Sequence, residues 1–268
     1  MSVWGKIGGA AAGMTFAGPL GALLGAVAGH YFFDKEGGQI DHSHNKTADP
    51  GGWANAKTSN WSRNQPEDSV IFTMGIIALG AKMAKADGVV TSDEVAAFKQ
   101  VFKVPEAETQ NVARLFNAAK KDIAGYEAYA GQLAELFKNK RATLEDVIDG
   151  LFHIAKADGI IHPNEVEFLT NVAQIFGFSQ DEFDRIVARH GTVNNGGVSG
   201  VGDPYKILGV KRGDDFKSIK SAYRGLVKEN HPDKLIARGV PEEFVEIANE
   251  KLARINAAFD QIEKDLVN

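Results

Sequence analysis

The residues with the clearest chemical content are His231-Pro232-Asp233. An imidazole and a carboxylate flank a proline, which fixes its own φ and restricts the residue before it. Such a tripeptide offers polar groups from a turn that has little conformational freedom left to lose on binding. Just upstream, Lys217, Lys220, Arg224 and Lys228 fall within about 80° of one another at 100° per residue, so they share one helix face. A basic face beside a rigid polar turn suits docking on an acidic protein surface, because complementary charge speeds encounter and fixes register. Nothing comparable points to a reaction centre. The chain has no Ser/His/Asp arrangement, phosphate loop or metalloprotease motif. It has no cysteine, which excludes disulfides, thiolate zinc sites and cysteine nucleophiles. The expectation is a binding protein, not an enzyme. A formal net charge of -5 gives no bulk reason to expect nucleic acid as a partner.

A second set of chemically capable residues is acidic and occurs twice. Ala84-Lys85-Ala86-Asp87-Gly88 through Glu94-Val95 matches Ala155-Lys156-Ala157-Asp158-Gly159 through Glu165-Val166, 71 residues later. The spacing of Asp87 to Glu94, and of Asp158 to Glu165, equals the second half of an EF-hand calcium loop. The first two ligand positions would be Met83 and Lys85 in one copy and Ile154 and Lys156 in the other, so an EF-hand is excluded. Two readings stay open. The four carboxylates can meet across a two-fold to hold a divalent metal. Alternatively, the aspartates make turns while the glutamates cap the helices that follow. His42-x-His44 lies in a polar stretch and reads as solvated.

These residues need elements to position them. From 66 to 190 apolar residues recur at three- and four-residue spacing, as in Ile76, Ile77, Leu79 and Met83, which predicts helices. The duplication predicts two helix–turn–helix units, with Ser92 and Asn164 as N-caps. They are joined through helices around 105–121 and 124–138. Gly191 to Gly202 holds five glycines in twelve residues and reads as a flexible linker. Beyond it, a short helix opens at Pro204 and a second runs over about 215–228. A third covers about 241–265, with Phe244, Ile247, Ala248, Leu252, Ile255, Ala258, Phe259 and Ile262 facing inward. The last two make an antiparallel hairpin across the His231-Pro232-Asp233 turn.

The other end of the chain is apolar. Ile7 to Phe33 is a run of 27 residues without Asp, Glu, Lys or Arg, longer than the roughly 20 that a helix needs to cross a bilayer. Gly5, Gly9, Gly13, Ala17, Gly21, Gly25 and Gly29 recur every fourth residue, the spacing that lets two helices approach closely. A single self-associating membrane anchor is the leading expectation. A signal peptide cleaved near Ala26-Val27-Ala28, a hairpin broken at Gly18-Pro19 and a soluble glycine-rich loop are the alternatives. Residues 34–65 are polar, lack any period, and read as a linker.

The C-terminal segment resembles a J-domain. The resemblance rests on Asp203-Pro204-Tyr205 with Leu208-Gly209-Val210, on Ala222-Tyr223-Arg224 with Leu226-Val227-Lys228, on His231-Pro232-Asp233-Lys234, and on Asn256-Ala257-Ala258-Phe259. Asn230 stands where an aromatic is frequent, and Leu235 to Pro241 lengthens the loop. That lengthened loop, with Trp4-Gly5-Lys6-Ile7 and Phe33-Asp34-Lys35, is similar to the DjlA-type membrane-anchored DnaJ-like proteins. The duplicated middle resembles a TerB-type tellurite-resistance domain. The resemblance implies an all-α chain in five parts. These are an anchor (1–33), a polar linker (34–65), a TerB-like domain (66–190), a glycine-rich linker (191–202) and a J-domain hairpin (203–268). It implies that His231, Pro232 and Asp233 dock on a DnaK-type chaperone and favour its ATP hydrolysis. It also implies an inner-membrane, single-pass protein that associates with itself through the anchor and keeps both domains in the cytoplasm. No cofactor is required, with a divalent metal on the TerB-like domain as the open possibility. The rival expectation is a membrane-bound metal or stress sensor in which the TerB-like domain does the main work.

Overall fold

In the computed structural model, the structure describes residues 18–23, 65–86, 99, 104–122, 124–156, 161–194 and 197–267. The fold is all-α with one small hairpin. Helix α1 (Gln65–Ala86) is apolar on every side, with Val70, Phe72, Met74, Ile76, Ile77 and Leu79 all buried, so it can only be a central element. Around it lie α2 (Thr109–Lys121), α3 (Tyr126–Leu136), α4 (Arg141–Ala155) and α5 (Pro163–Ile175). A further helix, α6 (Gln180–His190), packs on α4 and α5 and is opened by a reciprocal cap. There Glu182 Oε2 accepts the Ser179 N–H at 2.8 Å, and Ser179 Oγ accepts the Glu182 N–H. Helices α2 and α3 occupy the expected 105–121 and 124–138 segments, the first preceded by a 3-10 turn at Glu106–Glu108.

Two sequence expectations need correction. The N-cap of α5 is His162, not Asn164, because Pro163 takes the first helical position, where its missing N–H costs nothing. Within the stretch from Gly191 to Gly202, read as a flexible linker, β1 (Thr192–Asn194) and β2 (Gly197–Ser199) pair as antiparallel strands. The pair is pinned to the helical domain through Ile161, which exchanges two backbone hydrogen bonds with Val198 at 2.9 and 3.2 Å. Val198 itself is fully buried.

The hairpin delivers the chain into α7 (Pro204–Leu208), which lies along α6, then α8 (Phe216–Glu229), α9 (Pro232–Ala237) and α10 (Val245–Val267). Helices α8 and α10 face each other over Ile219, Ile255, Ala258, Phe259 and Ile262, with Tyr205 and Leu208 from α7 closing one end. The inward stripe of α10 is divided between two cores. Ile255 onward serves the J-type hairpin, whereas Ile247 and Ala248, with Phe244 just before the helix, lie in the core of the helical domain with Leu235 and Val240.

Of the apolar N-terminal run, residues 18–23 are described. Gly18 sits at φ +90°, a helical turn follows, and Leu20 and Leu23 are buried against the helical domain, where the Leu20 N–H donates to Gln132 Oε1 at 3.0 Å. Gly21 belongs to this turn; Gly5, Gly9, Gly13, Gly25 and Gly29 lie outside the described residues. Among the described residues no helix is long and apolar enough to cross a membrane.

Candidate partner-docking site

The site forms where α8 ends and α9 begins. Asn230, buried at the end of α8, donates both its backbone N–H, at 3.0 Å, and its side-chain Nδ2, at 2.8 Å, to the Leu226 carbonyl. The chain then turns. His231 is the N-cap of α9, with φ -63° and ψ 136°, and Pro232 is the first helical residue. The His231 Nδ1 accepts the Asp233 N–H at 3.2 Å. That bond assigns the ring proton to Nε2 in the neutral imidazole, which leaves a donor available to a partner. His231 is 54% exposed and Asp233 87% exposed at the side chain, so both present their polar atoms to solvent.

The basic residues share this side. Lys217, Lys220, Arg224 and Lys228 are all exposed on α8, and none is paired with a carboxylate among the described residues. A groove of about 520 Å³ runs between the face and the turn, lined by Tyr223, Arg224, Val227, Lys228, His231 and Asp233. Tyr223 forms its wall. It stacks on Phe259 at 4.2 Å and donates its hydroxyl to Asn256 Oδ1 at 3.0 Å, so its ring is committed to packing, as is that of Phe259. The arrangement offers an imidazole, a carboxylate and four cations along one edge of the hairpin. Such a set of charged and polar groups suits recognition of an acidic surface.

The acidic repeat is only partly visible. Asp87, Glu94 and Asp158 lie outside the described residues, as does Ser92. Glu165 is buried and accepts the His162 N–H at 2.8 Å, which is the capping role the sequence offered as one of its two readings. No group of three potential metal ligands occurs among the described residues.

A set of polar residues that sequence reasoning missed lies behind the docking edge. From α4, Glu145, Asp146 and Asp149 meet Arg189 of α6 and Lys251 of α10. Lys251 Nζ lies 2.8 Å from Asp149 Oδ2 and 2.9 Å from Glu145 Oε1, while Arg189 reaches Glu145 at 2.7 Å. Arg238, just past α9, reaches Asp146 at 2.6 Å and donates to the Glu229 carbonyl at 3.0 Å. Burial works against ionisation of Asp149, but Lys251 and Arg189 outweigh it and hold the carboxyl well below its ordinary range. For Asp146 burial prevails over Lys251 and Arg238, and its pKa is raised to about 6. Burial also pushes His190 down to about 4, against the pull of Asp149, which accepts from Nε2 at 2.9 Å. The sequence did carry a signal: Lys251 falls on the inward stripe of α10 between Ile247 and Ile255, where an apolar residue belongs.

A His-Pro-Asp turn at the head of an antiparallel helical pair, beside an exposed basic helix, defines a J-domain co-chaperone. Comparison with known proteins extends this to the whole chain. Residues 203–264 match the DnaJ domain, 73–188 the tellurite resistance protein TerB, and 1–52 the co-chaperone DjlA transmembrane domain. The co-chaperone protein DjlA of Photobacterium profundum is 29% identical over 98% of this chain and 99% of its own length. Those of Salmonella typhimurium and Escherichia coli K12 are 29% and 28% identical, each over 98% of both chains. The chain thus carries the three domains of the DjlA-type membrane-anchored DnaJ-like co-chaperones in the same order, and is similar to them over nearly its full length. No solved structure matches it.

Proposed function

We propose that this protein stimulates ATP hydrolysis by a DnaK-type chaperone and recruits that chaperone to the inner membrane. The observation that carries the proposal is the exposed His231–Asp233 turn, held rigid by Pro232 and its cap, beside four exposed cations that pair with no carboxylate among the described residues. The basic face steers an acidic surface of the partner into place, and the turn makes the specific contact. Hydrolysis takes place in the partner, so this chain contributes position and charge and no catalytic group. The N-terminal segment fixes the location and, through its small-residue register, brings copies together; both domains face the cytoplasm.

Single-turnover hydrolysis by the purified partner is the test. The wild-type chain should accelerate it, and His231→Gln should reduce the acceleration to near background while leaving the fold intact. Equal stimulation by the two proteins would reject the proposal.

A further inference from the structure

The turn that touches the partner is followed at once by a segment that does not belong to the J-type hairpin at all. Leu235 and Val240 are 4% and 3% exposed, yet they pack in the core of the helical domain and not between α8 and α10. Phe244 follows them in. Its ring meets Phe72 edge-on at 4.8 Å, and it lies so close over Gly150 that a Cβ there would come within 2.8 Å of it. Arg238 closes the segment from the polar side. One guanidinium nitrogen is held by the buried Asp146 of α4, and another by the Glu229 carbonyl at the end of α8. The same guanidinium therefore spans the gap between the helical domain and the residue that precedes Asn230 and His231. Asp146 is in turn 3.7 Å from Lys251, which ties α10 to the same acidic group.

We propose that the helical domain positions the His231–Asp233 turn, with Arg238 and Asp146 as positioning residues that hold it ready for the chaperone. This rests on the function proposed above and deepens it. A turn anchored on both sides, at the end of α8 and through Leu235, Arg238 and Phe244, loses less freedom on docking than one carried by a free hairpin. Neither positioning residue needs to touch the partner. Their removal should weaken docking without slowing the step that follows it.

The test uses the full chain in lipid nanodiscs, a purified DnaK-type chaperone loaded with ATP, and four proteins: wild type, His231→Gln, Arg238→Ala and Asp146→Asn. With Arg238→Ala, the concentration giving half-maximal stimulation should rise roughly tenfold with the maximal rate unchanged. Arg238→Lys, which can reach Asp146 but not bridge to the Glu229 carbonyl as well, should recover part of the loss. Amide exchange should quicken at Arg238, Gly239 and Val240, whose N–H groups bond back to Lys234, Ile236 and Leu235. Protection in α1 to α6 should hold. If Arg238→Ala loosens α1 to α6 as well, Asp146→Asn carries the same expectations with the side-chain shape retained. Unchanged half-saturation and unchanged exchange at 238–240 in both variants would overturn the positioning role. Stimulation by His231→Gln equal to wild type would instead reject the proposed function, and the exchange data alone would then decide the positioning.

Discussion

Residues 231–233 and 235–244 adjoin in sequence and differ in almost every physical respect. The first group is exposed, polar and turned toward solvent, with Asp233 87% exposed. The second buries Leu235, Val240 and Phe244 in another domain and anchors Arg238 to a carboxylate 92 residues earlier in the chain. The contrast shows how a recognition turn is kept rigid while its polar atoms stay free. Proline and a histidine cap stiffen the turn from within, and the neighbouring segment ties it to a large core that solvent does not reach. The lengthened loop is thus a graft onto the helical domain. In the same way α10 is shared, its first turns belonging to one core and its later turns to the other.

The largest expected effect breaks the buried side of this pair. Phe244→Ala removes an aromatic ring from the helical domain's core and should cost about 3–5 kcal/mol, read by chemical denaturation of the full chain. The cost should fall on the hairpin and the helical domain together.

Slightly smaller, and more discriminating, is a pair of substitutions one helical turn apart. Asp149→Asn leaves Lys251 and Arg189 short of a buried counter-charge and should destabilise by roughly 3 kcal/mol. Asp146→Asn should change the global unfolding midpoint little at pH 7, because the ionised Asp146 is itself disfavoured by burial, its effect being confined to the local loosening at 238–240. Denaturation curves for the two variants should therefore separate clearly, and similar midpoints would count against the opposite shifts of the two carboxyls.

The smallest effect concerns pH. His190 has a folded-state pKa of about 4, lowered from 6.5, so its contribution is present above pH 6.5 and is lost as the pH falls toward 4. Asp146, raised from 3.8 to about 6, works the other way: the folded state takes up its proton first, and stability is gained as the pH falls from 6 to 3.8. The two contributions oppose each other over nearly the same pH range. Asp146→Asn should uncover the histidine's loss between pH 6.5 and 4, and His190→Gln should uncover the aspartate's gain. Parallel stability–pH curves for the two variants would contradict this balance.

Much of the docking edge was legible in the sequence because its information is local. His231-Pro232-Asp233 and the spacing of Lys217, Lys220, Arg224 and Lys228 specify a turn and a helix face without reference to the rest of the chain. The apolar stripe of the last helix was legible too, but periodicity tells only that a face is buried, not what buries it. Phe244, Ile247 and Ala248 therefore looked like part of the hairpin core. Lys251 on that stripe was the hint of an ionic partner, and its partners Glu145 and Asp149 are brought near only by the packing of α4. The glycine-rich linker was misread for a related reason. Glycine count signals flexibility only where the flanking residues stay unpaired, and here Thr192–Asn194 pairs with Gly197–Ser199. Gly202 is also needed for contact, since a Cβ there would lie 1.7 Å from the Ala188 carbonyl oxygen. For the duplicated acidic residues, Glu165 shows capping; metal binding through Asp87, Glu94, Asp158 and Glu165 remains a proposal that isothermal titration with divalent ions would decide.

The most direct measurement of the shared core is calorimetric unfolding of the full chain in detergent. A turn mounted on the helical domain requires the C-terminal hairpin and the helical domain to melt in one cooperative transition, which Phe244→Ala moves as a whole. Two separate transitions, with the hairpin melting on its own and Phe244→Ala shifting only one of them, would contradict it.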